Sequence, residues 1–369
     1  MKSLNEIFMF NFFKKEIFGL DISDHSVDVA ILKEGSPKPI LFQYGHTKLE
    51  KGIMENGKVL DENLLLKAIS KVLKEAWPKP IKTKKFIFSL PASRVFTYFF
   101  EIPKEKGINK KNDLSELIYQ KAEEIIPTNL KDCYLDYQVS KETEKSQKIF
   151  FLAVPKEIVD VYLNIFSKLK LKPVALDLEN FSVNRALVPS EIRQKFYILL
   201  DIGARTTTLS IFDEGNLIFT SSIFKAGNYF NHLLMEELKI NEEEAKELKK
   251  KIGLKEDSSS AKSKEVKSTL QKALKDIIIE VRKVIDYYQV LLNKKVDKII
   301  ACGGSSKMPG IIDYLNQELK IEVVLGTYQV NIPKNLKIDA LLLADAIGSA
   351  LRSLEKNPKK AGVNLLSSS

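Results

Sequence analysis

The chain has 369 residues, 44% of them hydrophobic and 29% charged, with a net charge of +10. That length exceeds one ordinary core and points to two or more lobes, and no run of about 18 apolar residues is present to span a membrane. The lysines are spread along the chain with no nucleic-acid motif among them, which argues against a nucleic-acid partner. Cys133 and Cys302 lie far apart and His25, His46 and His232 are scattered, so neither a disulfide framework nor a zinc site is indicated, as fits a reducing cytoplasm.

In chain order, residues 1–13 are apolar-rich and read as a ragged end packing on the first strand or, less simply, as a surface anchor. From Ile17 to about Lys48 three strands are expected, the first hairpin turning over Asp21 to Ser26. Asp61 is placed to cap a helix running to Ala76, whose stripe is Leu64, Leu65, Ala68, Ile69, Val72 and Leu73. Trp77-Pro-Lys-Pro80 ends it. A buried strand follows over Lys85 to Leu90.

Next, a strand (Val95 to Ile102), a helix (Asp113 to Ile126) and two strands (Tyr134 to Val139, Lys148 to Val154) form a small α+β insert, assigned to residues 93–170 together with a helix over Lys156 to Leu169. Strand Pro173 to Leu178 and helix Glu179 to Leu187 return the chain to the first lobe, whose parts are 1–92 and 171–192. The second lobe spans 193–340. It opens on Tyr197-Ile-Leu-Leu-Asp-Ile-Gly-Ala-Arg-Thr-Thr-Thr-Leu-Ser-Ile-Phe212, a strand, a tight turn and a second strand. A strand (Leu217 to Phe224), Ala226-Gly227 and helices from Tyr229 to Leu238 and Asn241 to Ile252 come next. Lys255 to Lys264 reads as a mobile loop, and Val266 to Leu292 as the longest helix. Lys298 to Gly310 is a strand, a Gly303-Gly304 turn and a helix start. A helix to Leu319, a strand Glu322 to Leu325 and a helix Ala340 to Leu354 precede a tail over residues 357–369; residues 341–356 are expected to return to the first lobe.

The chemistry is concentrated in the turns. Asp21 and Asp201 each end an apolar strand beside a polar turn. Gly203 allows close backbone approach, and N–H and hydroxyl donors crowd around it. A carboxylate beside such donors suits a phosphate held with a metal ion. Two such hairpins half a chain apart suggest related halves facing each other across a nucleotide, and Gly303-Gly304 before a helix offers bare backbone to a flat ring or ribose.

These three pieces resemble the actin-like ATPase fold, an α/β fold of two related lobes. Within it, Ser89-Leu-Pro-Ala-Ser-Arg-Val-Phe-Thr97, Ala122-Glu-Glu-Ile-Ile-Pro127, Leu135-Asp-Tyr-Gln-Val139, Leu200-Asp-Ile-Gly-Ala204, Thr207-Thr-Leu-Ser210, Cys302-Gly-Gly-Ser305 and Met308-Pro-Gly310 resemble the PilM family of type IV pilus assembly proteins, from about Phe18 to Ser353. The resemblance implies a cytoplasmic ATP-binding scaffold that docks the N-terminal peptide of the inner-membrane protein PilN, with at most slow hydrolysis. A pilus motor ATPase and self-association are further candidate contacts. Asp21 and Asp201 would hold Mg2+ through water. Ser23, His25 and Gly203, Ala204, Arg205, Thr206 and Thr207 would cradle phosphates. Gly227, Lys249, Gly303, Gly304 and Ser305 would carry the nucleoside, and Asp177 and Glu179 are the candidate bases. The partner groove is expected on the insert, near Phe96 to Phe100 and Leu117 to Ile125.

The chain departs from the family at Ser23, where glycine is common, at Ala226-Gly227, usually two glycines, and at Lys246, where relatives carry a glutamate; Glu247 is one step, about 100°, round the helix. The tail's Gly362-Val-Asn-Leu-Leu-Ser367 is similar to the Asn-Leu-Leu-Pro start of PilN-type proteins. It is expected either to be unstructured or to occupy the partner groove of its own or a neighbouring molecule. Other readings of the same lobes are a type II secretion component, an FtsA-type division protein and a sugar kinase.

Overall fold

The computed structural model describes residues 16–104, 111–255 and 260–368; the apolar start at 1–13 lies outside them. In chain order its elements begin with β1 (Phe18–Ile22), β2 (Ser26–Lys33), β3 (Ile40–Lys48), the short pair β4 (Met54–Glu55) and β5 (Lys58–Val59), α1 (Glu62–Lys74) and β6 (Lys85–Leu90). The insert follows as β7 (Phe96–Pro103), α2 (Lys111–Ile125), β8 (Cys133–Glu142) and β9 (Ser146–Pro155). Then come α3 (Lys156–Lys168), β10 (Lys172–Leu178), α4 (Glu179–Leu187) and α5 (Ser190–Arg193). The second half is β11 (Phe196–Ile202), β12 (Thr207–Asp213), β13 (Asn216–Ile223), α6 (Gly227–Leu238), α7 (Glu242–Lys251), α8 (Ala261–Leu292), β14 (Lys298–Cys302), α9 (Ile311–Leu319), β15 (Val323–Leu325) and α10 (Ala344–Arg352). No helix among the described residues is long and apolar enough to cross a membrane.

Two five-stranded sheets carry the same topology. One runs β10-β6-β1-β2-β3 and the other β15-β14-β11-β12-β13. In each, an antiparallel hairpin of three strands is extended by two parallel ones. The parallel strands are covered on both faces, so they read as near-continuous apolar runs. β6, Lys85-Phe-Ile-Phe-Ser-Leu90, is buried at every position after the first. Asp61 caps α1 by accepting from the Leu64 N–H at 2.9 Å, and Asn241 and Glu244 close a capping box on α7.

The insert is a separate three-stranded sheet, β7-β9-β8. Its middle strand alternates between two cores. Ile149, Phe151 and Ala153 join Ile118, Ala122 and Ile126 of the insert, whereas Phe150, Leu152 and Val154 join the first sheet's core. The helix α3, grouped with the insert at the sequence level, buries Val159, Tyr162, Ile165 and Phe166 in that same core, with Phe166 edge-on to Phe86 and Phe88.

Two further departures concern boundaries. The segment read as a loop over Lys255 to Lys264 is helical from Ala261, because the Ser260 hydroxyl accepts from the Ser263 N–H at 3.1 Å and starts α8; residues 256–259 lie outside the described ones. The last helix splits into a 3-10 turn, Ala340–Leu343, and α10. α10 packs on the first sheet with little clearance: a Cβ on Gly19 would sit 1.9 Å from the Ala346 carbonyl oxygen, and one on Gly348 1.8 Å from that of Ser182.

Candidate functional site

The carboxyl ends of β1 and β11 face each other, as binding sites in open α/β sheets do. Between them is a cleft of about 300 Å³ lined by Asp21, Ser23, Asp24, His25, Glu179, Asp201, Gly203, Ala204, Arg205, Thr206, Thr208, Gly303, Gly304 and Asp345, among others. The two sheets therefore deliver Asp21 and Asp201 to one cavity.

The two turns are built differently. In the first, the Ser23 hydroxyl accepts from the N–H groups of His25 and Ser26 at 3.2 and 3.1 Å. The Ser23 side chain thus occupies donors of the turn itself. Asp24 accepts from the N–H groups of Asn56 and Gly57 at 2.8 and 2.9 Å. The second turn is Gly203 to Thr206, closed by the Gly203 N–H on the Thr206 carbonyl at 3.0 Å. Its Arg205 reaches across the cleft to Asp24 at 3.3 Å and Glu55 at 3.5 Å.

Behind that turn is a brace. The Ser305 hydroxyl and the Gly227 N–H both donate to the Gly203 carbonyl, at 2.8 and 3.1 Å, and the Lys249 ammonium donates to the Gly227 carbonyl at 2.8 Å. A Cβ on Gly227 would come within 2.5 Å of the Ser305 hydroxyl oxygen. Gly227, Lys249 and Ser305 are expected from the sequence as direct contacts; they stand outside the cleft lining and hold the turn in place. Burial, with Lys250 and Lys246 nearby, brings Lys249 down to about 8. Thr207 also points away, donating to the Lys225 carbonyl at 2.7 Å while fully buried. Thr208 lines the cleft instead, because it is the residue paired in register with Asp201 and so shares its face.

Gly303, with φ +79°, is forced by proximity: a Cβ there would be 2.1 Å from Asp201 Oδ1. At Gly304 a Cβ would meet nothing within 4 Å, which leaves open backbone beside the cleft.

The charge in the cleft is one-sided. Burial, with Asp28 and Glu179 close by, lifts Asp21 well above the usual carboxylate range. Burial and then Asp201 push Glu179 up to about 7. Burial pushes Asp201 up to about 6, against a hydrogen bond from the Cys302 thiol. Asp345 is raised well above its ordinary value by burial and by Asp21, Glu179 and Asp201, and its Oδ1 has no hydrogen-bond partner. Glu179 is oriented by the Ala92 N–H at 3.1 Å. Among the described residues no three His, Cys, Asp or Glu side chains converge closely enough to ligate one ion together.

Asp177, paired with Glu179 as a candidate base, is elsewhere. It is fully buried between Arg185 and Arg352. Burial opposes its charge, but the two guanidiniums outweigh that and hold the carboxyl below its ordinary value. It is an ion-pair centre of the first lobe and cannot reach the cleft. Sequence reasoning missed Asp345, Ser89 and Asp24 as lining residues. The signal for Asp345 was the small-residue stripe Ala344, Ala346, Gly348 and Ala350, which marks a helix packed hard against the lobe.

Duplicated sheets with paired acidic turns across a cleft define the actin-like ATPase fold. The fold comparisons agree. The solved PilM–PilN type IV pilus biogenesis complex matches at a TM-score of 0.75 and 21% identity, covering 92% of this chain and 99% of that one. MreB5 of Spiroplasma citri bound to AMPPNP matches at 0.56 and 13%, covering 91% and 95%. The ethanolamine utilization protein EutJ of Carboxydothermus hydrogenoformans matches at 0.54 and 15%, covering 91% and 89%.

The family model for type IV pilus assembly protein PilM matches residues 19–354. The chain belongs to that family.

Proposed function

We propose that the chain binds a magnesium nucleoside triphosphate between its lobes and, so clamped, serves as a pilus-assembly scaffold that docks the N-terminal peptide of a PilN-type membrane protein. The observation that carries this reading is the delivery of Asp21 and Asp201 from opposite sheets to one cleft, with Gly303 and Gly304 on its wall. The donor set fits the group. Raised carboxylates and an orphaned Asp345 oxygen call for a cation. Among the described residues no three such side chains converge on one ion, so a cation here would keep much of its water shell, as magnesium does. When bound, the ion would neutralise phosphate charge.

The chain's own part is positional. The 203–206 turn, braced from behind, presents N–H and hydroxyl donors. Arg205 leaves Asp24 and Glu55 to meet an anion. Glu179, near 7, accepts a proton from water around neutral pH. The partner half of the proposal is supported by the family and by the PilN bound in the similar complex.

Titration with fluorescent ATP and magnesium tests the cleft. Asp201→Ala is expected to weaken binding at least ~10-fold, the loss of about 1.4 kcal/mol. Unchanged affinity in both Asp201→Ala and Asp21→Ala would remove the proposal.

A further inference from the structure

Residues 362–366 do not hang free. They lie along the seam between β8, the outer strand of the insert, and β10, the outer strand of the first sheet. Val363 and Leu365 are fully buried and Asn364 is 5% exposed. The Asn364 N–H donates to Asp136 at 2.5 Å, and its side-chain oxygen accepts from the Leu176 N–H of β10 at 3.0 Å. Arg352, fully buried at the end of α10, donates to the carbonyls of Val363 at 2.6 Å and Pro358 at 2.8 Å.

This is how a folded domain holds a peptide. Side chains capture the main chain, one amide reads a strand edge, and alternate apolar residues fill the floor. Half-buried Asp136 and fully buried Arg352, itself paired with Asp177, hold the main chain of this segment, which a merely apolar chain end would not require. Of the face expected from the sequence, Phe96 to Phe100 lie on the opposite edge of the insert, where β7 meets β13, and Leu117 to Ile125 lie on α2.

We propose that the tail is an intramolecular occupant of the seam between β8 and β10, where it excludes a partner segment of the same chemistry: an extended stretch with asparagine between apolar residues. The proposal rests on the peptide-partner reading above for the existence of such a partner, but not for the site itself. Tethered through residues 353–361, the tail competes at an effective concentration in the millimolar range, so it suppresses any incoming peptide of ordinary micromolar affinity.

The test uses the full chain with a protease site inserted between Glu355 and Lys360, so that the tail leaves only after folding. The probe is a labelled synthetic peptide of residues 362–369. Expected are binding to the cut chain, at least ~10-fold weaker binding to the uncut chain, and at least ~10-fold weaker binding of an Asn364→Ala peptide. Equal binding to cut and uncut chains, equal binding of the two peptides, or unfolding on cleavage that added peptide does not reverse would each overturn it. Because the probe is the chain's own segment, failure here leaves the PilN reading intact.

Discussion

Among single side chains, Glu179 is the one that, on the proposed reading, would separate holding a nucleotide from turning it over. Its value of about 7 makes it half-ionised at neutral pH, the range in which a carboxylate is useful as a general base. Glu179→Gln keeps the Ala92 hydrogen bond and the volume. ATP turnover, measured by phosphate release, is expected to fall about 10²-fold or more while nucleotide affinity moves less than about threefold. The same residue was legible from sequence because it begins the helix after a strand of the first lobe. Its neighbour Asp177 was misjudged, since the guanidiniums that neutralise it come from positions 185 and 352. Thr207 and Thr208 differ by one step in a strand, and only the register opposite Asp201 decides which faces the cleft.

Among elements, α10 is the piece that fixes the first wall of the cleft. It carries Asp345 at one end and Arg352 at the other. Its glycine has no spare room, so Gly348→Ala is expected to destabilise the fold by about 2 kcal/mol, through overpacking against the Ser182 backbone. Urea unfolding would show this as a lower midpoint at constant slope. Strand and helix elements with strong periodicity, such as β6, α4 and α8, were readable locally. The tail was not: Asn364 is ordered by Asp136 and Leu176, some 190 to 230 positions away in the chain, and nothing near it in sequence announces that contact.

For the whole molecule, the raised carboxylates couple stability to pH. A group whose folded value exceeds its unfolded one stabilises the fold below the unfolded value and loses that contribution as pH rises through the folded one. With Glu179 going from 4.5 to about 7 and Asp201 from 3.8 to about 6, the loss falls mainly between about pH 4 and 7. Without divalent ions the melting temperature is expected to drop by roughly 3–6 °C across that interval. Millimolar magnesium with nucleotide is expected to flatten the drop, which calorimetry at several pH values would check. A drop of the same size in the double variant Glu179→Gln, Asp201→Asn would assign it to other groups. The duplicated sheet order made this architecture readable from two Asp-bearing hairpins; the position of the insert's seam, which depends on strands from different sheets, was not readable in that way.

The two halves share a topology but not a charge. Asp21, Glu179 and Asp345 belong to elements of the first sheet's layer, and Asp201 alone comes from the second. If the jaws part, four of the five carboxylates that line the cleft, Asp24 included, stay on one jaw. A dication caught in the gap would therefore swing away with that side, leaving the glycine-lined side, and whatever base or sugar rests on it, to let go independently.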